Sequence, residues 1–198
     1  MKTALTLILV FSLVSNSMSQ SFLKDGDIIF HTSKSQQSLM LQKITKSPFT
    51  HCGIIFYKNG KQYVIEAVQP VKITPLQSWI DRGVDKRYAV LRVWSGLTRE
   101  QKNKMYAYAK NQLGKNYDIK FQWSNDKIYC SELVWKCYKS ASIHLSNPKK
   151  FKNYNLTSPI AMKAIKNRYG NTFNPEELVV SPKDIYNSGE LKIIFNNY

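Results

Sequence analysis

Apolar and polar positions along the chain change period several times, and each change marks an element. After the turn Asp25-Gly26-Asp27, the run Ile28-Ile29-Phe30-His31 reads as a short strand. Leu39, Ile44 and their neighbours recur at helical spacing up to Lys46, with Ser33 or Ser35 as the cap and Ser47-Pro48 as the stop. Residues 51–57 (HCGIIFY) and 62–68 (QYVIEAV) are β-rich runs on either side of Lys58-Asn59-Gly60-Lys61, and Asn-Gly is a strong hairpin signal. A strand over 71–73 follows, then Thr74-Pro75 as cap and first helical position of a short helix over 76–80, then a strand over 88–93. Thr98 and Gln101 form a capping box that opens a helix to about Leu113, closed by Gly114. A helix starting at Cys130, a short one over 159–166, a Ser181-Pro182 turn and a last strand over 191–195 complete the chain. Strands cluster between residues 27 and 93 and helices follow, which predicts the α+β class.

The hairpin fixes more than its own shape. With a two-residue turn at Asn59-Gly60, Lys58 pairs with Lys61, so Gly53 faces Glu66 and His51 faces position 68. His51, Gly53 and Glu66 then share one face, because side chains alternate along a strand. His51 and Glu66 become diagonal neighbours, and Gly53, lacking a side chain, leaves the space between them open. An imidazole beside a carboxylate is the base-and-orienter pair that a cysteine nucleophile requires. The opposite face carries Cys52, Ile54, Phe56, Tyr63, Ile65 and Ala67, an apolar set suited to the core, with Cys52 a buried structural residue. Glu66 lies in Val64-Ile65-Glu66-Ala67-Val68, where an unpaired carboxylate would be costly.

Cys130 sits where a polar, turn-rich segment with Gln122, Ser124, Asn125 and Asp126 gives way to helical periodicity. A thiol at a helix N-terminus meets unpaired N–H groups and the positive end of the dipole, which favour thiolate and can receive an oxyanion. The competing reading is inert packing, with Cys130 the first residue of an apolar stripe continued by Leu133, Val134, Cys137 and Ala141.

Composition narrows the class. Lys2 and the apolar run at 4–14, followed by Ser17-Met18-Ser19, predict a signal peptide over residues 1–19 and an exported protein whose single domain spans 20–198. A balance of 43% hydrophobic and 13% aromatic residues is that of an ordinary globular domain. Three cysteines, an odd number, argue against a disulfide framework and leave at least one free thiol. The net charge is +16, and without Lys2 it is 28 basic against 13 acidic residues, or +15. Such an excess suits a polyanionic partner (nucleic acid, anionic lipid head groups or an anionic envelope polymer) or simply a solvated lysine-rich surface. No nucleic-acid motif occurs, so no specific nucleic acid is expected. Three His and three Cys with neither CxxC nor HxxxH spacing imply no metal site, and no cofactor is expected.

Taken together, Gly26-Asp27-Ile28-Ile29-Phe30, Thr50-His51-Cys52-Gly53-Ile54-Ile55, Glu66 and Tyr129-Cys130-Ser131-Glu132-Leu133-Val134 resemble the YiiX/YebB-like group of NlpC/P60 cysteine hydrolases, the permuted papain-like amidases. The resemblance runs from about Asp25 to the last strand. Unpermuted members carry a DCSG-type cysteine motif first; here the cysteine motif comes last, as in the permuted group. Tyr129 and Glu132 stand in place of Asp and Gly of DCSG, a departure from the cell-wall peptidases. The resemblance implies a permuted papain-like (NlpC/P60) fold, an antiparallel sheet packed against the helix carrying the cysteine. It also implies a triad of Cys130 as nucleophile, His51 as base and Glu66 as orienter. Tyr117 resembles the tyrosine that such enzymes place before the cysteine to hold the oxyanion. His31 and His144 match nothing catalytic. The expected activity is cleavage of amide bonds in a small peptide-amide or lipid-like substrate. Two alternatives stand beside it: a lipid-active acyltransferase or esterase of the lecithin:retinol acyltransferase-like type, and a basic, non-catalytic binding module.

Overall fold

The computed structural model describes residues 22–35 and 37–198; the signal peptide expected over residues 1–19 lies outside them. In chain order the elements are β1 (Ile28–His31), α1 (Ser38–Thr45), β2 (His51–Lys58), β3 (Lys61–Glu66), β4 (Lys72–Pro75), α2 (Leu76–Asp81) and β5 (Ala89–Val93). There follow α3 (Arg99–Lys110), β6 (Asn116–Tyr117), β7 (Lys127–Ile128), α4 (Cys130–Ser140), β8 (Lys149–Lys150), α5 (Pro159–Tyr169), β9 (Leu178–Val179), α6 (Pro182–Tyr186) and β10 (Leu191–Asn196).

Six strands form one antiparallel sheet in the order β10-β5-β1-β2-β3-β4. The β2–β3 hairpin has the expected register, Lys58 opposite Lys61 and Ile54 opposite Ile65. Asn59 and Gly60 both have positive φ, 52° and 73°, the type I′ geometry that matches strand twist. Period-two alternation then divides the hairpin between two cores. Cys52, Ile54, Phe56 and Ile65 pack beneath α3 and α4 with Leu133, Val134 and Cys137, while Ile55 and Val64 meet α2 through Leu76, Trp79 and Ile80 on the other face. The sheet is thus covered on both sides, and Glu66 ends fully buried on the α2 side.

Gly26-Asp27 is a structural clasp. Gly26 has φ +85° and donates its N–H to the Ile55 carbonyl at 2.9 Å. Asp27 is buried and takes both Arg92 Nε and Nη2 at 2.7 Å, a bidentate pair that ties the start of β1 to β5. Tyr138 of α4 donates its hydroxyl to the Gly26 carbonyl, which locks the cysteine helix to the same turn.

Several local expectations are revised. Neither Ser33 nor Ser35 caps α1, which starts at Ser38 without a side-chain cap; Ser33 Oγ instead accepts from the Ser35 N–H within the loop. Thr74 does not cap α2 either: Pro75 is the N-cap, and the Thr74 hydroxyl points to Glu66. The helix opened by the Thr98 capping box stops at Lys110, before the turn through Gly114. Ser181-Pro182 is the capped start of α6, with the Asp184 N–H donating to Ser181 Oγ.

Gly53 is where strand geometry and site geometry meet. A Cβ there would lie 2.5 Å from Val64 Cγ1 and 2.8 Å from the Ile65 carbonyl oxygen, and the second contact is with backbone. Gly53→Ala is therefore expected to destabilise the fold by about 1–3 kcal/mol, through overpacking of the β2–β3 ladder. A thermal melt indistinguishable from wild type would show that the ladder can yield.

Candidate active site

Cys130 is the first residue of α4, entered from Tyr129 in an extended conformation (φ −105°, ψ 169°). The helix start is held on several sides. The Tyr129 N–H donates to Glu132 Oε2 at 3.3 Å, Ser131 Oγ donates to the Val180 carbonyl at 2.7 Å, and the Val180 N–H donates to Tyr129 Oη at 3.2 Å. Glu132, which stands in the Gly place of DCSG, thus acts from the first turn as a buried cap, with Lys136 Nζ 2.7 Å from its Oε1. Burial pushes its pKa up to about 7 against the pull of Lys136.

His51, the first residue of β2, has its Nε2 2.7 Å from Glu66 Oε2. The other ring nitrogen, Nδ1, is left for Cys130, to which the imidazole is hydrogen-bonded. Burial opposes the imidazolium, but the hydrogen bonds to Cys130 and Glu66 and both their charges outweigh it and raise His51 to about 9. Cys130 moves the other way. A hydrogen bond from the Cys52 thiol, then the hydrogen bond and charge of His51, hold its pKa well below the usual thiol range despite burial. Both directions describe a thiolate–imidazolium pair. Cys52 is buried as expected but is more than packing: its thiol and its N–H both meet Cys130, and burial keeps that second thiol protonated as a donor.

Glu66 is burdened by desolvation, yet three donors converge on it. His51 takes one oxygen; Thr74 Oγ1 donates to the other at 2.6 Å, and Arg82 Nη2 reaches the same atom. Together they depress its pKa to about 2. Tyr117, on β6, is held by its backbone N–H on Gln69 Oε1 at 2.7 Å. Its hydroxyl meets both Cys130 and the Gln37 side chain, and burial with the negative charge of Cys130 pushes its pKa well up, so it remains a proton donor. Gln37 Oε1 in turn accepts from Arg168 Nη2 at 3.1 Å, which leaves the amide nitrogen as the group that faces Tyr117.

The structure thus brings Cys130, His51, Glu66 and Tyr117 together, and adds residues that the sequence did not flag. Thr74 and Arg82 steady Glu66; Gln37, Gln69 and Arg168 steady Tyr117. Thr74 lies on β4 and Arg168 on α5, and the distant partner of a polar side chain leaves no periodic signal, so nothing in the sequence pointed to these roles. His31 is the other surprise. It is buried at the end of β1, stacked on Trp79 with ring centroids 3.9 Å apart, and its ring lies 5.3 Å from that of His51. Burial, then the charges of His51 and Arg82, push His31 down to about 2, so a neutral imidazole lies beside a charged one.

A cleft of about 900 Å³ opens over His51 and Tyr117. A cysteine at a helix start, facing an imidazole on an antiparallel sheet and a carboxylate on the next strand, is the construction of a papain-like cysteine hydrolase, here with the cysteine helix following the histidine strand in the chain. The chain belongs to the permuted papain-like amidase family YaeF/YiiX, C92, whose model matches residues 22–195. It is 44% identical over 170 residues to the uncharacterized protein YiiX of Escherichia coli strain K12, covering 85% of this chain and 84% of that protein. A crystal structure described as that of the metalloprotein YiiX from Escherichia coli O157:H7 matches with a TM-score of 0.86 at 42% identity, over 88% of this chain and 98% of the other. Among the described residues here, no group of three or more His, Cys, Asp or Glu side chains could hold a metal ion. The donor atoms of His51 and Glu66 are already engaged with each other and with their neighbours. The His51–Glu66 pair of this chain therefore does not fit a resident metal.

Proposed function

We propose that this protein is an exported cysteine amidase that works through an acyl-enzyme, with Cys130 as nucleophile, His51 as general base and acid, Glu66 as orienter and Tyr117 as oxyanion donor. The observation that carries the reading is the hydrogen bond from His51 to Glu66 at 2.7 Å, with the opposite edge of the ring on the Cys130 sulfur. The Cys130 thiolate attacks the substrate carbonyl, and Tyr117 and the N–H groups of the first turn of α4 receive the negative charge that develops on oxygen. His51, held as the imidazolium, gives its Nδ1 proton to the departing amine; the acyl group remains on sulfur as a thioester. Nδ1 then takes a proton from water, which attacks the thioester and frees the acid and the thiolate. Glu66 keeps Nε2 protonated and the ring in position throughout.

The reading is tested by intact-mass detection of an acyl adduct on Cys130 when the protein is quenched during turnover of activated amides and esters. Hydrolysis of such substrates with no adduct and no effect of alkylating Cys130 would remove it. A companion expectation concerns the oxyanion donor. Tyr117→Phe should lower kcat about 10- to 100-fold with KM nearly unchanged, as befits one hydrogen bond made mainly in the transition state. Gln37→Leu should produce a smaller loss of the same kind, since its amide reaches the oxyanion only through Tyr117. Equal changes in KM alone would make Tyr117 a binding residue.

The rival reading as a basic binding module loses its best candidate surface. Lys149, Lys150 and Lys152, the densest basic patch of the sequence, are paired with Asp184 and Glu176 at 2.6–2.8 Å. Attraction to an acidic envelope polymer then rests on the diffuse surface charge and is expected to fade with added salt.

A further inference from the structure

Two cavities flank Cys130, one small and apolar, the other larger and carrying charged side chains on a partly apolar lining. The 900 Å³ cleft is lined by His51 and by Lys34, Gln37, Gln69, Arg82 and Lys127, and Cys130 does not reach it. Cys130 lines instead a second pocket of about 40 Å³ on the helix side, walled by Leu41, Ile44, Phe121, Phe151, Val179 and Val180. Thr50 and Tyr117 line both and form the partition.

In a thiol hydrolase the two sides have different tenants. The acyl group stays on Cys130, so it is assigned to the pocket that Cys130 lines. The leaving group takes its proton from His51, so it lies in the cleft that His51 lines. Resting on the acyl-enzyme reading above, we propose that the 40 Å³ pocket is the acyl site and admits a compact apolar acyl group of about two to four carbons. The polar, larger part of the substrate, the leaving amine, occupies the cleft.

Size and chemistry both limit the acyl site. One water-sized site needs roughly 10–15 Å³, so the pocket accepts about three or four heavy atoms, far short of a fatty chain. Its polar groups are engaged elsewhere: Thr45 Oγ1 on the Leu41 carbonyl at 2.8 Å, Ser131 Oγ on Val180, and Tyr154 Oη on Asp184. Thr50 Oγ1 already accepts from the Ser33 N–H and bonds to Ser38 Oγ. A charged or amide-bearing acyl group would be desolvated there without partners. The cleft contrasts with this. The one carboxylate among its described lining residues, Asp81, is paired with Lys86 at 3.2 Å, whereas Lys34 and Lys127 both line it, which suits a leaving group carrying an anion.

Two readouts test the assignment on the whole protein. In the first, kcat/KM is measured for amides of 5-amino-2-nitrobenzoate, an anionic leaving group, bearing acetyl, butyryl, octanoyl, palmitoyl and succinyl acyl parts. Butyryl should exceed octanoyl and succinyl by at least about tenfold, the scale on which an apolar pocket discriminates. Leu41→Ala, at a half-buried wall position, should shift the optimum toward octanoyl. In the second, the rate of disulfide formation at Cys130 is followed with propyl, octyl and 2-sulfonatoethyl methanethiosulfonates, each releasing methanesulfinate. Propyl should be the fastest. A flat acyl profile, a palmitoyl optimum, or succinyl matching butyryl overturns the acyl-site assignment while leaving the amidase standing. Selective labelling by propyl without turnover of any amide leaves the pocket's preference intact and overturns the amidase. Equal labelling by all three reagents overturns the pocket outright.

Discussion

Cys130→Ala is expected to abolish amide turnover, with a loss of about 10⁴-fold or more, because the nucleophile's contribution cannot be replaced by the groups around it. The fold should survive. Cys130 is the first residue of α4 and is only 3% exposed, but its backbone is fixed by neighbours, namely Tyr129 and Ser131 with Val180 and Glu132. Alanine also has high helix propensity. A near-native melting curve with nearly unaltered substrate binding, measured by calorimetry, is the expected companion result, since the change removes one atom from the wall of the small pocket and leaves the cleft untouched. Turnover above a tenth of wild type would exclude Cys130 as the nucleophile. The same variant separates the binding-module reading, for retention of an acidic polymer depends on lysines and is indifferent to one thiol.

The second large effect belongs to His51 and its carboxylate. His51→Asn should cost about 10³-fold or more in kcat and should raise the thiol pKa of Cys130, because the cation that favours the thiolate is gone. Thiolate absorbance against pH reads this directly. In wild type the thiolate should persist well below neutral pH, and in the variant it should appear only on the alkaline side. The pH profile carries a sign that can be checked. His51 is raised to about 9, so the imidazolium is present at lower pH and lost as pH rises through that value; kcat/KM should be level through neutrality and fall above about 9. Glu66→Gln removes one of the charges that holds the proton on His51, so this alkaline limb should move toward neutral pH. A limb that stays in place would mean that Glu66 does not act through His51. Glu66 itself, depressed to about 2, remains ionised across the whole range and contributes no limb above pH 4.

How much of this was legible in the sequence depended on how local the determining forces are. The β2–β3 hairpin was read in its correct register because Asn59-Gly60 alone fixes the turn, and period-two alternation then puts His51 and Glu66 on one face. Cys130 at a helix start was legible from the change of periodicity at residue 130. The class α+β followed from element order. The capping roles assigned to Ser33, Ser35 and Thr74 failed for a physical reason. A hydroxyl near a helix start has several acceptors within reach, and at Thr74 a buried carboxylate on the adjacent strand, Glu66, outcompetes the helix N–H groups.

What the sequence by itself determined, then, is each half of the site: a base with its carboxylate, set by a two-residue turn, and a thiol at the positive end of a helix, set by local periodicity. What only the tertiary structure decided is their union and its surroundings. Cys130 and His51 are 79 positions apart, and they meet because α4 lies across β2, clasped through Tyr138 to the Gly26 turn. The second thiol at Cys52, the Arg168–Gln37 support behind Tyr117, the neutral His31 against Trp79, and the division between a small apolar pocket and a larger cleft with charged groups arise in the same way. Each joins segments distant in the chain, where burial and the pairing of polar groups, rather than any local preference, fix which side chains meet.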